Sequence, residues 1–189
     1  MVVLKKKNVV LTGFMGTGKT AIGKRLASHL KYNFIDTDRE IEEVTGLRIP
    51  EIFRKYGEKR FRAEEYLVVQ KVAERTGCVI ATGGGVVLNP ENVKRLRRNG
   101  LIILLEAEPG VIARRLQRHH VRPLLVKGDN LVAQIEALLK VRAPFYENHD
   151  FKVNTSDLSF EQVIENIICF LKKQGWEFKE ETKHGNPSG

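Results

Sequence analysis

Gly13, Gly18, Lys19 and Thr20 stand in the stretch GFMGTGKT at the spacing G-x-x-x-x-G-K-T, after an apolar run (NVVLT) and before a helical pattern (AIGKRLASHL). That spacing suits a polyphosphate. Many donors must converge from a backbone able to wrap closely, so Gly13, Gly16 and Gly18 supply permissive dihedrals and keep side chains out of the way. Lys19 is placed to reach the outer phosphates and Thr20 to offer its hydroxyl to a magnesium ion. The helix that follows adds free N–H groups and the positive end of its dipole. With strand, loop, lysine, threonine and helix all in order, a plain glycine-rich turn is the poorer reading.

A second chemical group follows the next apolar run. In FIDTDREIE, Asp36 ends a strand and Asp38 opens a helix. Two such carboxylates beside a phosphate loop can divide labour, Asp36 toward the magnesium shell and Asp38 toward a substrate hydroxyl, although Asp38 read alone is equally an N-cap. The triglycine at 83–85 offers either an uncrowded backbone for a substrate or a flexible turn. Arg62 in GEKRFRAEE and Arg142 in KVRAPFYE could each form a planar fork to a carboxylate, although an arginine read alone is more often an ordinary surface residue. RHHVRPLLVKGDN is long for a connection and carries Arg118, Arg122, Pro123 and Gly128, as a mobile lid capping a phosphate would. His119 and His120 diverge from adjacent positions and read as solvated rather than as metal ligands. His29 and His149 read as structural.

These groups need a scaffold that brings distant loops together. Short apolar runs at 8–12, 33–36, 78–82, 101–106 and 151–154 alternate with amphipathic helical patterns, which predicts a parallel sheet covered by helices on both faces. Asn89 and Pro90 mark a helix start, Ser159 and Gln162 form a capping box, and Gly77 and Gly100 are expected to close helices. In such sheets ligands gather beyond the carboxyl ends of the strands, so the loops to watch are GFMGTGKT, DTDREIE, GGGVVLNP, AEPG and NTSD.

The 189 residues suffice for one well-buried domain, and 42% apolar with 29% charged residues is an ordinary globular balance. The longest apolar runs, such as LIILL, are far too short to span a bilayer, and the N-terminal stretch lacks the order of a secretory signal, so the expected location is cytoplasmic, away from membranes. Cys78 and Cys169 lie in apolar runs and are expected to be buried free thiols of a reducing compartment. The net charge of +9 is spread along helices, with KRLRR at 94–98 reading as a solvated face. It suits anionic small molecules better than nucleic acid. The polar segment EETKHGNPSG is expected to be a disordered, dispensable tail.

Taken together, GFMGTGKT, DTDREIE, GEKRFRAEE, GGG, VRPLL and RAPFYE occur in an order and approximate spacing that resemble the shikimate kinase family, across roughly residues 8–172. The resemblance implies a three-layer α/β P-loop kinase fold with a five-stranded sheet in the order 2-3-1-4-5. It implies one domain over 1–174 (acceptor region about 37–66, lid about 116–130, tail 175–189); the oligomeric state is open in the sequence, and a monomer is the expectation. It also implies ATP-dependent phosphorylation of the shikimate 3-hydroxyl, with ATP as co-substrate and Mg2+ as cofactor. Asp38 would hold the attacking hydroxyl, Arg62 and Arg142 the carboxylate, and Gly83, Gly84 and Gly85 the other side of the ring. Gly13, Gly16, Thr17, Gly18, Lys19 and Thr20 would bind nucleotide. Arg122 would join Lys19 at the phosphates, Arg115 would lie over the adenine and the NTSD loop would close around it. Thr20 and Asp36 would serve magnesium. Threonine at 20, where many relatives carry serine, keeps the hydroxyl. A gluconate-type or nucleoside monophosphate kinase fits DTD, RFRAEE, GGG and RAPFY less well. A GTPase lacks its motifs here, and a non-catalytic P-loop regulator would leave Asp38, Arg62 and Arg142 without a role.

Overall fold

The apolar runs form the strands that the sequence predicts, and the three with no polar interruption lie innermost. In a computed structural model that describes residues 7–117 and 130–176, β1 (Asn8–Thr12), β3 (Cys78–Ala81) and β4 (Gly100–Glu106) form the centre of the sheet. The edges are β2 (Asn33–Asp36) and β5 (Phe151–Asn154), each with exposed positions, and all pairings are parallel in the order β2-β3-β1-β4-β5. Val10 sits level with Ile80 on one side and Ile102 on the other.

Alternation along the strands sends neighbouring side chains to opposite faces. Val10, Ile80, Ile102 and Leu104 pack under α3 (Ile49–Ala73) and α4 (Pro90–Asn99), with Ile41 of α2 (Thr37–Thr45). Val9, Leu11, Val79, Ile103 and Leu105 pack under α1 (Lys19–Leu30) and α7 (Phe160–Lys173). A third cluster joins Phe14 to Ile112 and Leu116 of α5 (Pro109–Gln117) and Ile135 of α6 (Leu131–Tyr146). Each fully buried Leu, Ile or Phe contributes about 1.5–3 kcal/mol, so both layers are strongly fixed to the sheet.

The caps at Asn89–Pro90 and at Ser159 with Gln162 are present as expected. Of the two expected glycine stops, Gly100 directly follows α4 as its C-cap, whereas Gly77 lies beyond the end of α3. α3 ends at Ala73, and Gly77 turns the chain further on at φ 69°. Gly100 is extended, at φ −143°, and opens β4; it is needed for space, since a Cβ there would lie 2.9 Å from Val10 Cγ2. Cys78 is buried as expected, but Cys169 is exposed on the outer side of α7, where helical periodicity turns an apolar run partly outward. After α7 the backbone N–H of Trp176 donates to the Leu171 carbonyl and its ring lies 6.2 Å from that of Tyr32. The rest of the expected tail, from residue 177, and the lid residues 118–129 lie outside the described residues. Among the described residues no helix is long and apolar enough to cross a membrane.

One break shapes the acceptor side. Gly57, at φ 76° and ψ 176°, interrupts α3, and Phe53 and Phe61 meet across the break in a tilted pair, 4.8 Å between ring centres. This conformation is essentially reserved for glycine. A Cβ at Gly57 meets nothing within 4 Å, so the constraint is one of backbone conformation alone. Gly57→Ala is therefore expected to lower the unfolding free energy by about 1–3 kcal/mol in urea titrations. Gly110→Ala, in an equally open position inside α5, should be neutral or slightly stabilising.

Candidate active site

The loop after β1 is tied to itself before any ligand arrives. Lys19 Nζ donates to the carbonyls of Gly13 and Phe14, both at 2.8 Å, and Thr17 Oγ1 donates to Phe14 O at 2.8 Å. Gly13, at φ 137°, passes so close to the Leu105 carbonyl that a Cβ could not fit. Gly18 caps α1 in a left-handed conformation with no side-chain acceptor, which leaves the first-turn N–H groups to the loop. Beside it opens a cavity of about 1080 Å³ that reaches Arg115 and Thr155.

Thr155, two per cent exposed, joins three loops. Its N–H donates to Glu106 O at 2.8 Å, and its hydroxyl lies 3.1 Å from both Thr17 O and Glu106 O. Arg115 Nη1 donates to that hydroxyl at 3.0 Å and to Gly16 O at 3.3 Å, while Nη2 donates to Thr155 O at 2.6 Å. Burial, reinforced by Arg114, lowers the Arg115 pKa.

A second cavity, of about 560 Å³, lies on the other side of the loop. At its mouth Thr20 Oγ1 donates to Asp36 Oδ2 at 2.7 Å, and the Asp38 N–H donates to Asp36 Oδ1 at 3.1 Å. Asp36 is thus the N-cap of α2, and Asp38 is left to line the cavity. Buried Thr37 accepts from the Gly83 N–H at 2.9 Å, which fixes the start of α2 to the triglycine. None of the three glycines has a positive φ. What they supply is space. A Cβ on Gly83 would lie 2.5 Å from Asp38 Oδ1, one on Gly84 3.3 Å from the Met15 amide nitrogen, and one on Gly85 would run into the Arg62 guanidinium. The backbone is therefore crowded rather than open, because its missing side chains make room for functional ones.

Neither arginine is an ordinary surface residue. Arg62 Nη1 donates to Glu65 Oε2 at 2.9 Å and Nη2 to Glu58 Oε1 at 3.0 Å, which aims the guanidinium across Gly85. Arg142 is six per cent exposed, over the Phe14 ring, and its Nη1 has no hydrogen-bond partner. Glu65 Oε1 is likewise buried and unpartnered in the same cavity. Burial pushes the Glu65 carboxyl up; Arg62 opposes this, Asp38 adds to it and Arg142 opposes it again. A carboxyl whose folded pKa is raised costs stability once it ionises, and the cost is relieved as the pH falls. An orphaned donor and acceptor in one cavity suit a ligand that carries both kinds of partner. The two cavities share Met15, Thr20, Asp36, Asp38 and Gly84, so their contents would meet over one wall.

The sequence model of the shikimate kinase family matches residues 15–172. The chain belongs to the shikimate kinase family. A shikimate kinase of Pelotomaculum thermopropionicum is 54% identical over 170 residues, 90% of this chain and 98% of that one. One of Caldanaerobacter subterraneus subsp. tengcongensis is 49% identical over 89% of this chain and 99% of its own. The solved structure of shikimate kinase from Acinetobacter baumannii in complex with shikimate superposes with a TM-score of 0.85 at 33% identity, over 91% of this chain and 96% of that one.

Of the residues expected for a shikimate kinase, Asp38, Arg62, Arg142 and Gly83–Gly85 line the smaller cavity. Gly16, Thr17, Gly18, Lys19, Thr20 and Arg115 line the larger, and Gly13 lies beneath it. Arg122, with the rest of the expected lid core, lies outside the described residues. Sequence reasoning missed Thr37, Glu65, Tyr146 and Thr155. Glu65 and Tyr146 stand three and four residues after Arg62 and Arg142, a helical spacing that could have pointed to them. Thr37 and Thr155 carried no signal beyond their places in DTD and NTSD. Thr155→Val keeps the shape but strands a buried carbonyl, so it is expected to lower the unfolding free energy by about 1–3 kcal/mol. Thr155→Ser should retain most of the stability in the same urea titration.

Proposed function

We infer that this chain transfers the γ-phosphoryl group of ATP to the 3-hydroxyl of shikimate, giving shikimate 3-phosphate and ADP. The observation that carries the reading is the shared lining: Asp38 borders both cavities, and two arginines stand in the smaller one. A small ring with an anionic end and a hydroxylated end needs that polarity. In this reading Arg62 and Arg142 grip the carboxylate, and the unpartnered Arg142 Nη1 gains an acceptor. Asp38 holds the reacting hydroxyl toward the loop while Gly83–Gly85, whose missing side chains make room for Asp38 and Arg62, contact the other side of the ring.

Lys19 exchanges its two loop carbonyls for the outer phosphates. Arg115 and the Thr155 loop hold the adenosine end, and Arg122 reaches the phosphates from the lid. The Thr20 hydroxyl and the Asp36 carboxylate are two hard oxygen donors 2.7 Å apart, which fits a magnesium ion that keeps several of its waters. That ion supplies neutralisation of phosphate charge. Phosphoryl transfer proceeds through a loose transition state, so position and charge supply most of the catalysis, and Asp38 orients the hydroxyl more than it deprotonates it. The protein acts as one domain and a monomer in the cytoplasm, without nucleic acid or membrane.

ADP release should require both magnesium and shikimate, and phosphorus NMR of the mixture should show shikimate 3-phosphate. Turnover of another acceptor with no phosphorylated shikimate would overturn the assignment.

A variant set separates the two ends of the acceptor. Asp38→Asn keeps the shape but loses the charge, and turnover is expected to fall at least about 100-fold with ATP binding near that of the parent. Arg62→Ala and Arg142→Ala each remove a charge-assisted contact worth roughly 1.5–3 kcal/mol, and shikimate affinity should suffer first. Gly85→Ala, which displaces the Arg62 guanidinium without touching the phosphate loop, should copy Arg62→Ala in calorimetry. Loss of ATP binding in Asp38→Asn as severe as in Lys19→Ala would remove Asp38 from the acceptor.

A further inference from the structure

Tyr146 ends α6 and donates its hydroxyl proton to the Gly84 carbonyl at 2.8 Å. Nothing in the transfer mechanism above uses this group. Tyr146 follows Arg142 by one helical turn, so both side chains leave α6 on the same face. The start and middle of the helix are held by Ile135 with partly buried Leu131, Leu138 and Leu139, whereas toward its end the buried side chains are Arg142 and Tyr146, and Pro144 removes a backbone donor between them. α6 packs on α5 and on the short turn Val86–Leu88. The Tyr146 bond is what ties its final turn to the triglycine.

That attachment point is informative. Gly84 abuts the phosphate loop at Met15, while Gly83 and Gly85 face Asp38 and Arg62. A single hydrogen bond therefore references the helix that bears Arg142 to the backbone that references Asp38, Arg62 and the loop. Burial raises the Tyr146 pKa to about 12, against the influence of Arg142, so the hydroxyl remains a donor at any working pH.

We propose that Tyr146 is a positioning residue for the acceptor: its bond to the Gly84 carbonyl sets the Arg142 guanidinium at a fixed place opposite Arg62 and Asp38. The proposal rests on the reading of this cavity as the shikimate site. It assigns Tyr146 no contact with either substrate.

Tyr146→Phe keeps the ring and deletes only the hydroxyl. Steady-state kinetics and shikimate calorimetry would be run for it, for the parent, for Arg142→Ala and for the double variant. The expected result is a rise of about three- to tenfold in KM for shikimate, the span of one neutral hydrogen bond, with KM for ATP within about twofold and kcat lowered no more than about threefold. In the Arg142→Ala background the same substitution should change KM for shikimate less than about twofold, since the residue it positions is gone. An unchanged KM for shikimate in Tyr146→Phe, an equal rise in both KM values, the same factor in both backgrounds, or a variant that fails to fold would each overturn the proposal. A parent that binds no shikimate overturns the functional reading and this inference with it. A parent that binds shikimate, with Tyr146→Phe binding it equally well, overturns this inference alone.

Discussion

A Cβ on Gly84 would stand 3.3 Å from the Met15 amide nitrogen and 3.6 Å from the Gly13 carbonyl oxygen. The backbone leaving β3 and the loop leaving β1 are thus pressed together with no side chain between them. Everything else in the site depends on that approach. It brings the two cavities side by side, so that Met15, Thr20, Asp36, Asp38 and Gly84 border both. The sheet order produces it. β1 has β3 on one side and β4 on the other, so the loops that follow all three strands converge at one end of the sheet.

Charge is distributed around this shared lining by burial as much as by sequence. Glu65 is almost fully buried and would be costly as an isolated anion, but it accepts from Arg62 and lies near Arg142. Its burial is what makes Arg62 rigid. The guanidinium, held by Glu58 and Glu65 and bounded by Gly85, has little freedom left to lose when a carboxylate arrives. Arg142 is prepared in another way, buried over Phe14 with one nitrogen unsatisfied. A donor left without a partner inside a protein gains more from a ligand than one already in water.

The sheet and the phosphate loop were legible because both are local. Uninterrupted apolar runs specify buried strands, and the glycine–lysine–threonine spacing specifies the loop that follows the first of them. Asp36 and Asp38 were legible as a pair but not in their roles, since which one caps α2 depends on the turn from β2. The triglycine was visible as a stretch without side chains. Its purpose was not, because the groups that fill the space, Asp38 and Arg62, come from other elements. Gly100 was legible as the residue that closes α4, but its second duty, avoiding Val10, depends on a tertiary neighbour, and Gly77 serves a turn beyond the end of α3 rather than its cap. Thr37, Thr155 and Tyr146 act through bonds to backbone atoms 46, 138 and 62 residues away, and no local pattern announces such contacts.

The lining that the two cavities share carries the central claim, that the acceptor hydroxyl meets the nucleotide directly and that Asp38 orients that hydroxyl without ever bearing the phosphoryl group. Following a chirally labelled γ-phosphoryl group from ATP into shikimate 3-phosphate tests it in one experiment. A single in-line displacement where the two cavities share their lining gives inversion at phosphorus. Retention would mean two displacements through a group on the protein, and would contradict the account.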